Sequence, residues 1–282
     1  MDILIAPQWT SYELLDTGDG RRLERFGDIV ISRPDPQILW HQKLSPSQWQ
    51  KADAVFGGSW RISAHVPDRW KLTWKVLSFW AKLTPFKHTG VFPEQISHWE
   101  WMQTVLQKQQ QPMRVLNLFA YTGIASLVAA STGAMVTHVD ASKPSITWAK
   151  ENQIASGIPS DRIRWIAEDV MAFVAREVRR GNRYDAIVMD PPVYGHGPSG
   201  QAWDMMKDFP RLVGLCRQIL SEKPIFVLVN AYAVSASALM LGNVLEEMMG
   251  EFGGTMEAGE LALRETSAGR LLSTGIFARW RA

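Results

Sequence analysis

The sequence predicts an α/β fold: a seven-stranded, mainly parallel, doubly wound sheet with an antiparallel edge hairpin, preceded by a small β-rich N-terminal domain. Three observations carry this expectation. From Met113 onward, short apolar runs alternate with helical periodicity five times, as parallel β-α-β units require. The last two apolar runs have no helix between them, so they pair as a hairpin. Before Met113 the runs are shorter and broken by turn residues. Nine of the 13 Trp residues fall in the first 101 positions, enough aromatic area to fill the core of a small β unit.

In residues 1–90, runs such as Gly27-Asp28-Ile29-Val30-Ile31 sit between the turn signals Thr17-Gly18-Asp19-Gly20, Pro34-Asp35-Pro36 and Gly57-Gly58. A helix is expected from Glu94 to Gln110, ending before Pro112. Arg114–Phe119 is the first strand of the series, and a helix from Gly123 to Thr132 follows. Ala134–Val139 is the second strand, with Asp140 at its end. Ser142 caps the next helix, which carries Pro144 in its first turn and runs to Ser156. Arg162–Ala167 is a strand and Val170–Arg180 a helix; Tyr184–Met189 is a strand ending in Asp190-Pro191-Pro192. A helix near Trp203–Leu220, a strand at Ile225–Asn230 and a helix around Ser235–Met249 precede the closing strands, near Glu260–Arg264 and Ser273–Trp280. The expected domains are therefore 1–90, a Trp-rich unit for substrate recognition, and 91–282, the sheet-and-helix unit.

Composition excludes several classes. At 282 residues and 46% hydrophobic, the chain buries a sizeable core, and 21% charged residues argue against wholesale disorder. Cys216 is alone, so neither a disulfide framework nor a Cys-rich zinc site is available, and no metal is expected. No apolar run reaches membrane-spanning length, and Met1–Pro7 is too short for a signal peptide. A reducing cytoplasm and no membrane partner are expected. The net charge of +2 neither requires nor excludes a nucleic-acid partner.

In a sheet of this kind ligands bind at the carboxyl ends of the strands, near the point where strand order reverses. The first strand runs into Asn117-Leu118-Phe119-Ala120-Tyr121-Thr122-Gly123. With a single glycine this turn lacks the G-x-G-x-x-G needed to wrap a pyrophosphate, which argues against NAD and FAD. Asp140, 17 residues after Gly123, is placed to accept two ribose hydroxyls, although an acid there also suits helix capping. Asp169 is suited to accept from an adenine amino group, or simply to start a helix. In Asp190-Pro191-Pro192 the prolines hold an extended loop that carries an acid.

Taken in order, Val115–Gly123, Val139-Asp140-Ala141-Ser142, Glu168-Asp169-Val170 and Asp190-Pro191-Pro192 resemble the motifs of class I S-adenosylmethionine (SAM)-dependent methyltransferases. More narrowly, they are similar to the bacterial branch that methylates cytosine C5 and guanine N7 of large-subunit ribosomal RNA. That branch has a further motif, which resembles Gly90-Val91-Phe92-Pro93-Glu94-Gln95 here. The resemblance covers roughly residues 85–281 and implies a Rossmann-like fold, SAM as cofactor and S-adenosylhomocysteine (SAH) as product. It implies cofactor contacts from Phe92, Gln95, Asn117, Phe119, Ala120, Tyr121, Thr122, Gly123, Asp140, Ala141, Ser142, Asp169, Val170 and Asp190. On the acceptor side, Asp190 is expected to orient the acceptor, with Pro191, Pro192 and Tyr194 beside it.

The sequence departs from that branch in two places. The C5-cytosine enzymes need a nucleophilic Cys after the fifth strand, where this chain has Asn230-Ala231-Tyr232-Ala233. Cys216 falls inside an apolar helix instead. Amino-group methyltransferases place an aromatic residue directly after the two prolines; here Val193 intervenes and Tyr194 follows. His196, in Gly195-His196-Gly197-Pro198, reads more simply as a loop residue than as a base. Lys71, Lys75, Lys82 and Lys87 interleave with Trp70, Trp74 and Trp80, a pattern that suits RNA but also a solvated face. The expected activity is methyl transfer from SAM to an RNA base, ribosomal RNA first. A small-molecule or protein acceptor, and a non-catalytic RNA-binding protein on the same fold, stay open, as does the oligomeric state.

Overall fold

A computed structural model describes residues 2–197, 200–232 and 234–282, with only the backbone of His196. Met1, Pro198 and Ala233, named above, lie outside the described residues.

The chain opens with β1 (Asp2–Ile5), then β2 (Tyr12–Gly18), β3 (Arg21–Phe26), β4 (Ile29–Pro34), the one-turn helix α1 (Pro46–Trp49), β5 (Ala54–Phe56), β6 (Trp60–Ile62), β7 (Trp70–Trp74) and β8 (Leu77–Ala81). Helix α2 (Ile96–Gln107) leads into β9 (Arg114–Leu118), α3 (Ile124–Ser131), β10 (Met135–Asp140), α4 (Lys143–Ala155), β11 (Ile163–Ala167), α5 (Val170–Arg180) and β12 (Ala186–Met189). A hairpin of β13 (Tyr194–His196) and β14 (Ala202–Asp204) intervenes. The chain finishes with α6 (Met205–Gln218), β15 (Phe226–Ala231), α7 (Ala238–Met249), β16 (Thr255–Arg264) and β17 (Leu271–Arg281). Contacts divide it into two units. One holds residues 2–4, His98–Leu261 and Thr274–Ala282; the other holds Ile5–Ser97 and Ala262–Ser273.

The first unit contains an eight-stranded sheet in the order β1-β16-β17-β15-β12-β9-β10-β11. β15, β12, β9, β10 and β11 are parallel, and β17 runs antiparallel to β15. The expected sheet has seven strands; β1 adds an eighth at the edge next to β16. Gly259 permits that approach, because a Cβ there would lie 1.8 Å from the Asp2 carbonyl oxygen. The strand order reverses between β9 and β12, which fixes where a ligand site forms.

Alternation along each strand sorts the side chains between two faces. Leu116 and Leu118, Ile187 and Met189, Val227 and Val229, and Ala278 and Trp280 share one core with Phe173, Phe209, Leu212, Leu241 and Leu245 of α5, α6 and α7. On the other face Asn117 and His138 meet Ser126 of α3, and Trp101 of α2 meets Phe226. The helix ends follow local chemistry. Asp169 caps α5 by accepting from the Ala172 amide at 2.9 Å, and Gly181 ends it at φ 66°. Ser142 caps α4 as its sequence position suggests.

The second unit is built on the five-stranded sheet β2-β3-β4-β5-β6 and the two-stranded β7-β8. Its core includes Leu14, Leu23, Phe26, Ile31, Leu72 and Phe79. Several of the expected Trp residues are structural. Trp9, Trp49, Trp70 and Trp74 are buried. The indole nitrogens of Trp9, Trp40, Trp49 and Trp60 donate to Thr73 O, Thr17 Oγ1, Asp16 Oδ2 and Thr84 O at 2.6–2.9 Å. A buried ion cluster crosses the sheet. Arg33 makes a two-pronged contact with Glu24 at 2.5 and 2.9 Å, and Tyr12 Oη donates to the same carboxylate at 2.9 Å. Arg22 pairs with Asp35 at 2.6 Å.

Candidate active site

The parallel register brings four strand ends to one level. Leu118 lies opposite both Val139 and Met189, and Asp140 lies opposite Ala167. The backbone then continues the ladder into the loops. Ala120 N donates to Val139 O, Glu168 N to Asp140 O, and Asp190 N to Leu118 O, at 3.1–3.3 Å. The loops bearing Phe119–Gly123, Asp140–Ser142, Asp169 and Asp190–Tyr194 are thus tied to one another at the switch point.

The first loop has an unusual backbone. Phe119 and Tyr121 are left-handed at φ 55° and 48°, and Gly123 follows at 81°. A non-glycine residue in that region costs about 1–3 kcal/mol, so the surroundings must hold it. They do so through Asp140. Its Oδ2 accepts from the Tyr121 amide and its Oδ1 from the Ser142 amide, both at 2.8 Å. Two amides use two of about four lone-pair sites on a carboxylate, leaving the others for hydroxyl donors. Burial raises the Asp140 carboxyl above its usual range, against the pull of the Ser142 and Tyr121 amides. Burial, and then the Asp140 charge, push the Tyr121 phenol up to about 12. Gly123 has no room for a side chain: a Cβ would lie 2.9 Å from the Ala149 Cβ and 3.3 Å from His138 Cε1.

Several expected cofactor contacts have other attachments. Asn117 is buried, and its Nδ2 donates to Ser126 Oγ at 2.9 Å, which in turn lies 3.0 Å from His138 Nδ1. Burial holds His138 down to about 3, so this support beneath the loop is neutral. Thr122 is buried and its carbonyl accepts from Asn152 Nδ2 at 2.9 Å. Ser142 Oγ accepts from the Ser145 amide, Ala141 is partly buried, and Val170 packs in the core with α5. Asp169 uses Oδ1 for its helix cap; a Cβ on Gly197 would come within 3.1 Å of its Oδ2. Glu168 pairs with Arg176. Phe92 and Gln95 belong to the second unit, where Phe92 precedes a 3-10 turn at Pro93–Gln95 and Gln95 is buried.

The Asp190-Pro191-Pro192 loop runs through Val193 into the β13–β14 hairpin, where the sequence predicts a loop and the start of a helix. Tyr194 pairs with Asp204 across the hairpin and is 72% exposed. Trp203, which the sequence marks only as a helix start, is the anchor. Its Nε1 donates to Pro192 O at 2.7 Å, and its ring lies 4.9 Å from that of Phe119. One buried indole thereby joins the Phe119 loop to the Pro192 loop.

Cys216 is fully buried, burial raises its thiol, and its Sγ lies 4.0 Å from Met189 Sδ. Neither Cys216 nor the segment after β15 offers an accessible thiol. Among the described residues there is no group of three His, Cys, Asp or Glu that could hold a metal ion. Among them, too, no helix is long and apolar enough to cross a membrane.

Four similarities to known proteins bear on this site. A family model described as S-adenosylmethionine-dependent methyltransferase matches residues 51–251. The solved structure of a SAM-dependent methyltransferase from Agrobacterium tumefaciens is 43% identical, covers 100% of this chain and 93% of its own, and superposes with a TM-score of 0.96. A methyltransferase structure complexed with SAH superposes at a TM-score of 0.73 and 20% identity, covering 97% of this chain and 76% of its own. Among curated relatives, the ribosomal RNA large subunit methyltransferase K of Neisseria meningitidis is 30% identical over 58% of this chain. The chain spans 46% of that relative's length.

Proposed function

The chain belongs to the S-adenosylmethionine-dependent methyltransferase family, and we propose that its acceptor is a base of ribosomal RNA. The observation that carries the acceptor reading is Tyr194. An exposed phenol ring stands one residue beyond Asp190-Pro191-Pro192, after Val193, on a hairpin fastened by Trp203. A flipped or unpaired base needs such a plane to stack on. The relative from Neisseria, which by its name acts on large-subunit ribosomal RNA, supports the same class of acceptor.

SAM fits the residues present. Asp140 is pinned by two amides with acceptor capacity left over, and the Phe119–Gly123 turn is fixed by close packing of Gly123 against Ala149 and His138. The cofactor, when bound, supplies a methyl group on a cationic sulfur. On this reading Asp140 accepts from its ribose hydroxyls and Asp169 from its adenine amino group. The loop residues of the first unit named above complete its surroundings. Asp190 orients the acceptor, with Pro191, Pro192 and Tyr194 around it. The chain's work is then positioning and exclusion of water, which supply on the order of 7–11 kcal/mol in the best oriented cases.

The absence of an accessible thiol after β15 points away from ring carbons that need covalent activation and towards a nitrogen or oxygen with its own lone pair. The N-terminal residues 1–90 serve substrate recognition on this reading, and an RNA acceptor places the enzyme in the cytoplasm. The test is incubation with tritiated SAM and large-subunit ribosomal RNA prepared without modifications, followed by nucleoside mass spectrometry. Label in one base supports the proposal. Label in a small molecule or protein fraction, with none in RNA, overturns it.

A further inference from the structure

We propose that the outward face of the β7–β8 hairpin is a contact surface for single-stranded RNA, with Trp80 as the stacking plane and Arg69, Lys71 and Lys75 as phosphate contacts. The proposal rests on the RNA reading above and says which surface of the second unit serves it.

The hairpin is two-faced. Trp70, Leu72, Trp74, Leu77, Phe79 and Ala81 are all buried. The alternate positions Lys71, Thr73, Ser78 and Trp80 point the other way, and Lys71 and Thr73 are exposed. Trp80 is half-buried on that outer side. It sits directly opposite Lys71 in the strand register. Two cations surround it: the Arg69 guanidinium lies 4.3 Å from the centre of its ring and the Lys71 ammonium 5.5 Å. Lys75 occupies the turn between the strands and is exposed.

Charge is one-sided along this stretch. From Arg69 to Pro93 the chain carries Arg69, Lys71, Lys75, Lys82 and Lys87 and no Asp or Glu, although the molecule as a whole is close to neutral at +2. Clustered positive charge beside an aromatic plane is what a single strand requires: cations follow the phosphates while an unstacked base lies on the ring. A duplex keeps its bases stacked inward and has no use for the indole. Exposed lysines on an edge ribbon also discourage aggregation, and that simpler role makes no use of Trp80.

The experiment uses the full chain and a fluorescently labelled RNA of about twelve nucleotides, single-stranded or as a duplex, within the range one such module covers. Binding is followed by anisotropy across a salt series. Single-strand binding should fall about tenfold or more in Trp80→Ala. In Arg69→Gln/Lys71→Gln/Lys75→Gln the slope of log affinity against log salt should shrink by about 2, at ~0.7 per lost phosphate contact. SAH affinity by calorimetry should be unchanged in both variants. If wild type binds RNA but neither variant alters affinity or slope, the hairpin proposal is overturned and the RNA reading survives. Equal or tighter binding of the duplex overturns the single-strand assignment. If wild type binds neither probe nor protein-free large-subunit ribosomal RNA, both readings are overturned together.

Discussion

The indole of Trp203 donates a hydrogen bond to the carbonyl of Pro192 at 2.7 Å while its ring packs against Phe119, so one side chain braces both loops of the site. The two attachments can be separated by substitution. Trp203→Phe keeps an aromatic ring and removes the donor. Pro192 is exposed, so water can replace the lost partner, and the cost should sit near about 1 kcal/mol. Urea unfolding should show that loss with SAH affinity kept within about twofold. Trp203→Ala also removes the ring beneath Phe119, should cost about 3–5 kcal/mol, and should weaken SAH binding. Undiminished SAH affinity in Trp203→Ala would show that Phe119 holds its left-handed backbone without help.

Asp140→Ala is expected to weaken SAH binding by about 1–3 kcal/mol, measured by calorimetry, because it removes a half-buried acceptor and frees the Tyr121 amide it fixes. The pH dependence has a definite sign. Burial raises the folded-state value of this carboxyl, so its contribution to stability is full below the unfolded value, about 3.9, and is lost as pH rises through the folded one. Binding runs the opposite way, since hydroxyl donors prefer the ionised carboxylate. SAH affinity should therefore climb with pH through the acid range in wild type and lose that component in Asp140→Ala.

Much of this was legible in the sequence, and the remainder was hidden for physical reasons. Val170–Arg180 is found as expected because its cap, Asp169, and its stop, Gly181, are local signals. The same holds for Asp140, whose position at a strand end follows from periodicity alone. The β13–β14 hairpin escaped because its strands are three residues each and carry no alternating pattern. β1 escaped because its partner, β16, lies some 250 residues away. Asn117 shows a different limit. The motif correctly marks the strand, yet strand alternation turns this side chain towards Ser126 and away from the loop that follows.

Gly123→Ala combines a left-handed backbone at φ 81° with a Cβ 2.9 Å from that of Ala149. Strain and overpacking each cost on the order of 1–3 kcal/mol, and the overpacking cannot be relieved without moving α4. Thermal unfolding should show a loss of at least about 2 kcal/mol, accompanied by weaker SAH binding. A variant with wild-type stability would mean that the turn adopts another backbone path.

In the second unit, Arg33→Met should be strongly destabilising, by about 3–5 kcal/mol, because it strands the fully buried Glu24 carboxylate. Arg33→Met/Glu24→Leu should recover most of that loss, since it removes both charges. Burial pulls the Glu24 carboxyl up, but Arg33 and Arg22, with hydrogen bonds from Arg33 and Tyr12, bring it below its usual value. This depressed group stabilises the fold above its unfolded value, about 4.3, and the benefit disappears as pH falls through the folded value. Denaturation series at neutral and acid pH should show the gap between wild type and the double variant narrowing on the acid side. A gap that stays constant would mean that Glu24 is not ionised in the folded protein.

Asp169 has two roles that one substitution can pull apart. Its Oδ1 caps α5, accepting from the Ala172 amide at 2.9 Å, and its Oδ2 faces Gly197. Serine is as good a cap as aspartate, so Asp169→Ser should leave unfolding free energy within about 0.5 kcal/mol of wild type. Asp169→Ala removes the cap and should cost about 0.5–2 kcal/mol. If the carboxylate also receives the adenine amino group, both variants should lose SAH affinity by a similar factor, about tenfold for one hydrogen bond to a charged acceptor. The comparison turns on Asp169→Ser. Stability retained with affinity lost assigns the carboxylate to the cofactor, whereas stability and affinity both retained would reduce Asp169 to a helix cap and leave the adenine to be held by other groups of the site.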